Sequence, residues 1–153
     1  MNNGWTFARE LGATLLRLAL GAYYLMHAYY AGAVIGIPAL AQANATRYMV
    51  PLPELSAWYI VLGHGAGGLM LLIGLYPRIG ALLNIPIMAG AFLFVHLNQG
   101  FFMRGMALPD GRAAAAGFEY SLFLLLATAA SLLIGGGRFT LRTARKGGRI
   151  SLD

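Results

Sequence analysis

The sequence predicts an all-α protein in which four transmembrane helices form a bundle, and three observations lead to this fold class. The chain has 153 residues, of which 59% are hydrophobic and only 10% are charged, whereas about a quarter of a typical soluble domain is charged. Apolar segments recur along the chain, each about the ~20 residues that cross a bilayer core of ~30 Å. Only Tyr76-Pro77-Arg78 separates the second segment from the third, so these two are expected to form a tight antiparallel hairpin.

Length and composition narrow the organisation and the chemistry of the chain. One integral membrane domain is expected to cover residues 1–153. The chain contains no cysteine, which excludes disulfides, thiolate metal sites and cysteine-ligated iron–sulfur clusters. The formal net charge is +6, but the basic residues gather in the tail, residues 138–153, beside apolar segments. The lipid bilayer and its anionic headgroups are therefore the expected partner, and nucleic acid is not.

The first span covers about residues 11–31. It is too long for the apolar core of a signal peptide, and it contains Arg17 and His27, so we interpret it as a retained span. The connection that follows is broken by prolines. Within it, residues 39–48 are expected to form a short helix at the membrane interface.

The other spans cover about residues 54–75, 78–99 and 113–134. The second span has Gly67 four residues after Gly63, and Gly68 four residues after His64. This spacing predicts a surface of small residues that allows close helix packing. Pro86 is expected to kink the third span, which is tolerated when neighbouring helices satisfy the freed carbonyl. Pro109-Asp110-Gly111 predicts a turn before the fourth span.

The distribution of lysine and arginine predicts the orientation of the chain. The side of the two termini carries Arg9, Arg78, Arg138, Arg142, Arg145, Lys146 and Arg149, and the other side carries Arg47, Arg104 and Arg112. The positive-inside rule therefore predicts cytoplasmic N and C termini. A multi-pass protein of the inner (cytoplasmic) membrane is expected.

Polar side chains within the spans are the candidates for function. A charged group at mid-membrane costs at least ~2.5–3.5 kcal/mol on insertion scales, so such groups are expected to serve a purpose. The candidates for a ligand pocket are Arg17, Tyr24, His27, His64, Asn84, His96 and Glu119. Arg17, Tyr24 and His27 share roughly one side of the first span, and His96 shares a side of the third span with Gln99.

The predicted positions of these candidates along their spans place them in one polar column across the bilayer. Arg17, His64 and Glu119 come from three spans and are expected to face a shared interior, where they pair directly or through water. His27 and His96 are expected to close this interior on the outer side. Structural alternatives stay open: histidines at the interface, a carboxylate at a helix N-terminus, and an arginine that extends to the inner surface.

Several motifs occur in an order that covers nearly the whole chain. They are Arg17-Leu18-Ala19-Leu20-Gly21, His27, Gly67 to Leu75 with Arg78, His96, Gly117-Phe118-Glu119, and Gly135-Gly136-Gly137-Arg138-Phe139-Thr140-Leu141. Together they resemble the DoxX family of four-span membrane proteins, which includes a subunit of thiosulfate:quinone oxidoreductase. The chain departs from the family where Ala28-Tyr29-Tyr30-Ala31 follows His27 in place of Gly-x-x-Lys, and where His64 replaces a common glutamate.

The resemblance implies a membrane subunit of an oxidoreductase complex that interacts with quinone in the bilayer. Histidine, glutamate and tyrosine in an apolar cavity can supply the hydrogen bonds and the proton path that quinone chemistry requires. The chain has no nucleotide or iron–sulfur motif, so electrons are expected from a redox protein partner or a larger membrane complex. Haem b between His27 and His96 is a less favoured cofactor. No metal site and no covalently bound cofactor are expected.

Two functions of other classes stay open. A non-catalytic membrane anchor or assembly subunit agrees with the basic tail and the glycine-packed bundle, and a small-molecule transporter agrees with the polar column. Whether the chain is itself an enzyme is left undecided by its residues.

Overall fold

The computed structural model describes residues 3–107 and 113–141, and within these ranges the protein is all-α apart from one β-hairpin. The helices are α1 (Asn3–Tyr29), α2 (Ile37–Thr46), α3 (Pro53–Ile73), α4 (Pro77–Gly90) and α5 (Glu119–Ile134). Turns of π-helix at Tyr30–Ile35 and Ala91–His96 extend α1 and α4, and a 3₁₀ turn covers Leu97–Gln99. Strands β1 (Arg104–Ala107) and β2 (Ala113–Ala116) pair antiparallel.

Three of the described helices are long and apolar enough to cross a membrane. With their extensions they cover Gly4–Ile35, Pro53–Ile73 and Pro77–Gln99. Helix α5 is also apolar but has 16 residues, which correspond to about 24 Å at 1.5 Å per residue. The predicted first span, residues 11–31, therefore lies inside a longer helix.

Four of these helices close into a ring. Helix α3 packs against α1 on one side and α4 on the other, and α5 contacts both α4 and α1. Helix α2 packs on α3. The buried core draws on every helix of the ring through Leu20, Tyr24, Leu71, Ala81, Met88 and Leu124.

The predicted tight hairpin between the second and third apolar segments is confirmed. Gly74 ends α3 in a left-handed conformation at φ +75°, the usual choice for a helix C-cap. Tyr76 is also left-handed, at φ +49°, and Pro77 then starts α4, where its fixed φ and missing N–H suit the first turn. Gly67 of α3 faces Gly80 of α4, as expected for antiparallel neighbours.

Pro86 lies inside α4, where it removes the backbone donor for the carbonyl four residues earlier. The Tyr59 hydroxyl of α3 donates to the Leu83 carbonyl at 3.0 Å. A side chain of the neighbouring helix thus supplies a hydrogen bond in the turn that the proline disturbs.

Helix α5, which corresponds to the predicted fourth span, begins at Glu119, later than the predicted start of that span at residue 113. Residues Ala113–Ala116 form β2 instead, paired with β1. Gly117 then adopts φ +119°, and the backbone N–H of Phe118 donates to the Gly100 carbonyl at 2.9 Å. This pairing of the two sides of the loop overrides the helix preference of alanine.

The predicted short helix at residues 39–48 is present as α2. The predicted turn at residues 109–111 lies outside the described residues, as does the basic tail from residue 142 onward. The beginning of the tail is described, and the Leu141 N–H donates to the Gly74 carbonyl at 3.2 Å. This part of the tail therefore packs on the end of the bundle where α3 turns into α4.

A histidine-lined cavity as the candidate functional site

A cavity of about 930 Å³ lies among α1, α2, α3, α4 and α5. His27, His64 and His96 all line it. Its other walls are largely apolar and include Ile60 and Phe94. Tyrosines also contribute, namely Tyr23, Tyr30, Tyr48, Tyr59 and Tyr120. The cavity thus combines an apolar interior with a few groups that can form hydrogen bonds, which is the usual composition of a small-molecule site.

His64 is held by an amide of the neighbouring helix. Its side chain is only 5% exposed, and its Nδ1 lies 2.6 Å from Asn84 Oδ1. Asn84 is fully buried, and its Nδ2 donates to the Gly80 carbonyl at 2.8 Å. The antiparallel packing of α3 on α4 thus makes His64 and Asn84 direct partners.

Tyrosine rings of α1 support two of the histidines. The Tyr24 ring stacks on the His64 imidazole, with centroids 4.8 Å apart and planes 12° apart, and the Tyr24 hydroxyl is hydrogen-bonded to Thr128 of α5. Tyr23 lies against His27, with centroids 4.3 Å apart. The imidazole centroids of His27 and His64 are 6.1 Å apart. His27 and His64 therefore form one pair of rings on the cavity wall.

His96 occupies the end of the extended α4. Its Nδ1 lies 3.1 Å from Gln99 Oε1, which confirms that these two residues share a side of the helix. The same Gln99 oxygen accepts the Gly117 N–H at 3.2 Å. The loop before α5 thus helps to fix the orientation of His96.

Arg17 does not line the cavity, in contrast to the predicted shared column. Its guanidinium is 2% exposed and donates to backbone carbonyls only, among the residues that the structure describes. The acceptors are Leu71, Leu72, Gly136 and Phe139. The end of α3 and the segment after α5 supply enough oxygens to surround the charge, so no carboxylate is needed.

Glu119 is likewise apart from the other candidates. Its Oε1 accepts the Met103 N–H at 2.6 Å, and Met103 belongs to the cavity wall while Glu119 does not. The described residues include no pair between this carboxylate and Arg17. Glu119 therefore closes the loop at the start of α5, as a carboxylate in the first turn of a helix often does.

The structure brings five of the seven sequence candidates together: three histidines line the cavity, and Tyr24 and Asn84 support His64 from behind. Sequence reasoning missed Thr128, the partner of Tyr24. Buried polar residues of α5 recur at the spacing of one helix face, namely Ser121, Thr128 and Ser131. That periodicity, combined with Tyr24, was a signal for a polar contact between α1 and α5.

These features define a multi-pass membrane protein whose helices form a cavity lined by histidines. The model of the DoxX family matches residues 12–97, which is more than half of the chain and includes α3 and α4 entirely. The chain belongs to the DoxX family, as its motifs predicted. No curated protein and no solved structure matches the chain.

Proposed function

We propose that this DoxX family protein is a membrane subunit of an oxidoreductase complex, and that it binds a quinone in the histidine-lined cavity. The cavity is the observation that carries the proposal. Its volume of about 930 Å³ falls within the roughly 300–1,000 Å³ of typical ligand pockets. The apolar walls suit a quinone ring and its methyl or isoprenoid substituents, and histidines and tyrosines suit the ring oxygens.

The subunit role follows from what the chain contains. Electron transfer to or from a quinone requires a second redox centre, and the described residues include no group of three or more potential metal ligands. The chain also has no cysteine for an iron–sulfur cluster. The proposal assigns the second redox centre to a protein partner, while this chain holds the quinone and exchanges protons with it through histidine.

The proposal includes four spans, cytoplasmic termini and residence in the inner membrane. Helix α5 joins the ring of long apolar helices as a full member, which supports a fourth crossing. Basic residues near the termini cluster at one end: the Arg138 guanidinium lies 5.7 Å from the centre of the Phe7 ring, and Arg78 lies beside Gly135. This clustering supports a cytoplasmic location for that end.

The test is a direct measurement of quinone binding. Purified protein in lipid nanodiscs is titrated anaerobically in a calorimeter with duroquinone and with its reduced form, duroquinol, and saturable binding at one site is expected. His64→Phe keeps a ring for Tyr24 to stack on but removes both imidazole nitrogens, so the affinity for at least one of the two forms is expected to fall at least about fivefold, as for the loss of one hydrogen bond. The matched control is Leu62→Phe on the same helix, since Leu62 is 60% exposed and lies outside the cavity wall.

Equal affinity of the His64→Phe and Leu62→Phe proteins for both forms would contradict the proposed site. The partner is tested by purifying the tagged protein from its native membrane. A redox protein in stoichiometric amount supports the subunit role, whereas a homo-oligomer without one favours a transporter. An absorption spectrum of the protein purified on its own, if it has no Soret band, would eliminate haem as a cofactor of this chain.

A further inference from the structure

The amide of Asn84 can have only one orientation, and this fixes the hydrogen on His64. Asn84 Nδ2 lies 2.8 Å from the Gly80 carbonyl oxygen, which can only accept, so the atom facing it must be the donor. The other amide atom, Oδ1, is an acceptor and faces His64 Nδ1 at 2.6 Å. The hydrogen of the neutral imidazole therefore resides on Nδ1.

The second ring nitrogen, Nε2, then carries a lone pair and no hydrogen. Within the described ranges, no protein group forms a hydrogen bond with this nitrogen, and the side chain belongs to the cavity wall. Tyr24 covers one face of the ring, so the imidazole cannot easily rotate to exchange its two nitrogens. His64 consequently offers the cavity an acceptor of hydrogen bonds.

We propose that the cavity selects the reduced form of its ligand, a hydroquinone, over the oxidised quinone, and that His64 Nε2 makes this selection by accepting a ligand hydroxyl. The inference rests on the proposed quinone site. A hydroquinone hydroxyl can donate to the lone pair, whereas a quinone carbonyl brings a second acceptor against it. Asn84 is the positioning residue, because it decides which nitrogen is the acceptor.

His96 has the same arrangement, built from different residues. Gln99 Oε1 accepts the Gly117 N–H at 3.2 Å, so this amide is also fixed with its oxygen toward the imidazole. His96 Nδ1 lies 3.1 Å from that oxygen and therefore carries the hydrogen, which leaves Nε2 as an acceptor. Two histidines on the cavity wall thus have matching hydrogen-bond character.

Tyrosine hydroxyls that are free to rotate their hydrogen do not produce this preference. A phenol can donate to a carbonyl or accept from a hydroxyl by rotating its hydrogen, so tyrosines serve either redox form. The Tyr59 hydroxyl is an exception, because it already donates its hydrogen to the Leu83 carbonyl and can only accept from a ligand. A comparison of the native protein with a His64 variant therefore measures the part of the difference in affinity that His64 contributes.

The test compares duroquinol with duroquinone, two probes that differ only at the ring oxygens. Both are titrated anaerobically into the full-length protein in nanodiscs. The native protein is expected to bind duroquinol at least about fivefold more tightly than duroquinone. Duroquinol gains one hydrogen bond to His64 Nε2, whereas the carbonyl of duroquinone faces this nitrogen as a second acceptor. In His64→Gln the side-chain amide can present either its oxygen or its nitrogen, so the ratio of the two affinities is expected to fall.

The outcomes separate this inference from the proposed function. Binding of both probes with equal affinity by the native protein overturns the selection but leaves a quinone site in place. Binding of neither probe contradicts the site itself. A ratio that is unchanged in His64→Gln assigns the preference to another residue and also overturns the inference.

A spectroscopic measurement without ligand tests which nitrogen of His64 carries the hydrogen. Imidazole nitrogens with and without hydrogen differ in their ¹⁵N chemical shifts, and a His64→Gln sample identifies the signals of His64 among those of the three histidines. Hydrogen on Nδ1 is expected at a pH where the ring is neutral. Hydrogen on Nε2 would overturn the inference even if both probes bind.

Discussion

Arg17 is a buried positive charge that backbone carbonyls stabilise. Its acceptors at Leu71 and Leu72 lie in the last turn of α3, where carbonyls lack intrahelical donors and carry the partial negative charge of the helix dipole. Two more acceptors, at Gly136 and Phe139, lie after α5. One side chain of α1 therefore ties together the end of α3 and the segment that follows α5.

Replacement of Arg17 by methionine is expected to destabilise the bundle strongly. The change keeps a long side chain but leaves buried carbonyls without donors, at a cost of at least about 3 kcal/mol. Thermal unfolding in detergent measures the effect, with Arg47→Met as the control, because Arg47 is exposed. Folded Arg17→Met protein is expected to bind duroquinone normally, since Arg17 does not line the cavity. Loss of duroquinone binding without a change in thermal stability would instead show that Arg17 belongs to the ligand site.

Helix α3 is the element around which the others pack, and its glycines make this possible. A Cβ on Gly67 would lie 2.8 Å from the Gly80 carbonyl oxygen of α4, and one on Gly68 would lie 3.1 Å from the Gly21 carbonyl oxygen of α1. Adjacent glycines thus serve opposite neighbours. The spacing predicted a small surface, but only the packed structure shows that there are two such surfaces.

Two Gly→Ala substitutions in α1 are expected to have opposite effects. At Gly21 the new methyl group would lie 2.6 Å from the backbone nitrogen of Leu72, and separating the helices costs about 1–3 kcal/mol. At Gly12 no atom lies within 4 Å of the new group, so alanine gains up to about 1 kcal/mol from its better helix propensity. Melting temperatures of the two proteins in one detergent provide the measurement. Equal shifts would show that α1 and α3 do not depend on this close approach.

At the scale of the whole molecule, the ring of four helices explains which parts the sequence could predict. Apolar length and breakers predicted the α3–α4 hairpin, and the depth of each polar residue led to the expectation that His27 and His96 close the interior that His64 faces. Depth does not give the rotation of one helix against another, so Arg17 and Glu119 were wrongly expected to share that interior. The helix preference of alanine also placed the predicted start of α5 too early. The alanines at residues 113–116 favour a helix on their own, but they form a strand because they pair with β1.

The number of crossings is the property of the whole molecule that most needs a test, and it depends on α5. Its 16 residues extend over about 24 Å, shorter than a hydrocarbon core of ~30 Å, but a bilayer can thin locally to match a short span at modest cost. Helix α5 also fills one side of the ring and carries Thr128, the partner of Tyr24. Without α5 at membrane depth, that side of the ring would be open and Tyr24 would lose its partner.

Single cysteines can count the crossings cleanly, because the chain has no cysteine of its own. With four spans and cytoplasmic termini, Thr6→Cys and Ser151→Cys are both expected to resist a membrane-impermeant maleimide in intact cells and to react once the membrane is permeabilised. Thr46→Cys in α2 serves as the outward-facing control and is expected to react in both conditions. Opposite behaviour of the two terminal cysteines would mean an odd number of spans, with α5 lying at one surface. Reaction of both terminal cysteines in intact cells would keep the even number of spans but reverse the orientation that the arginines predict.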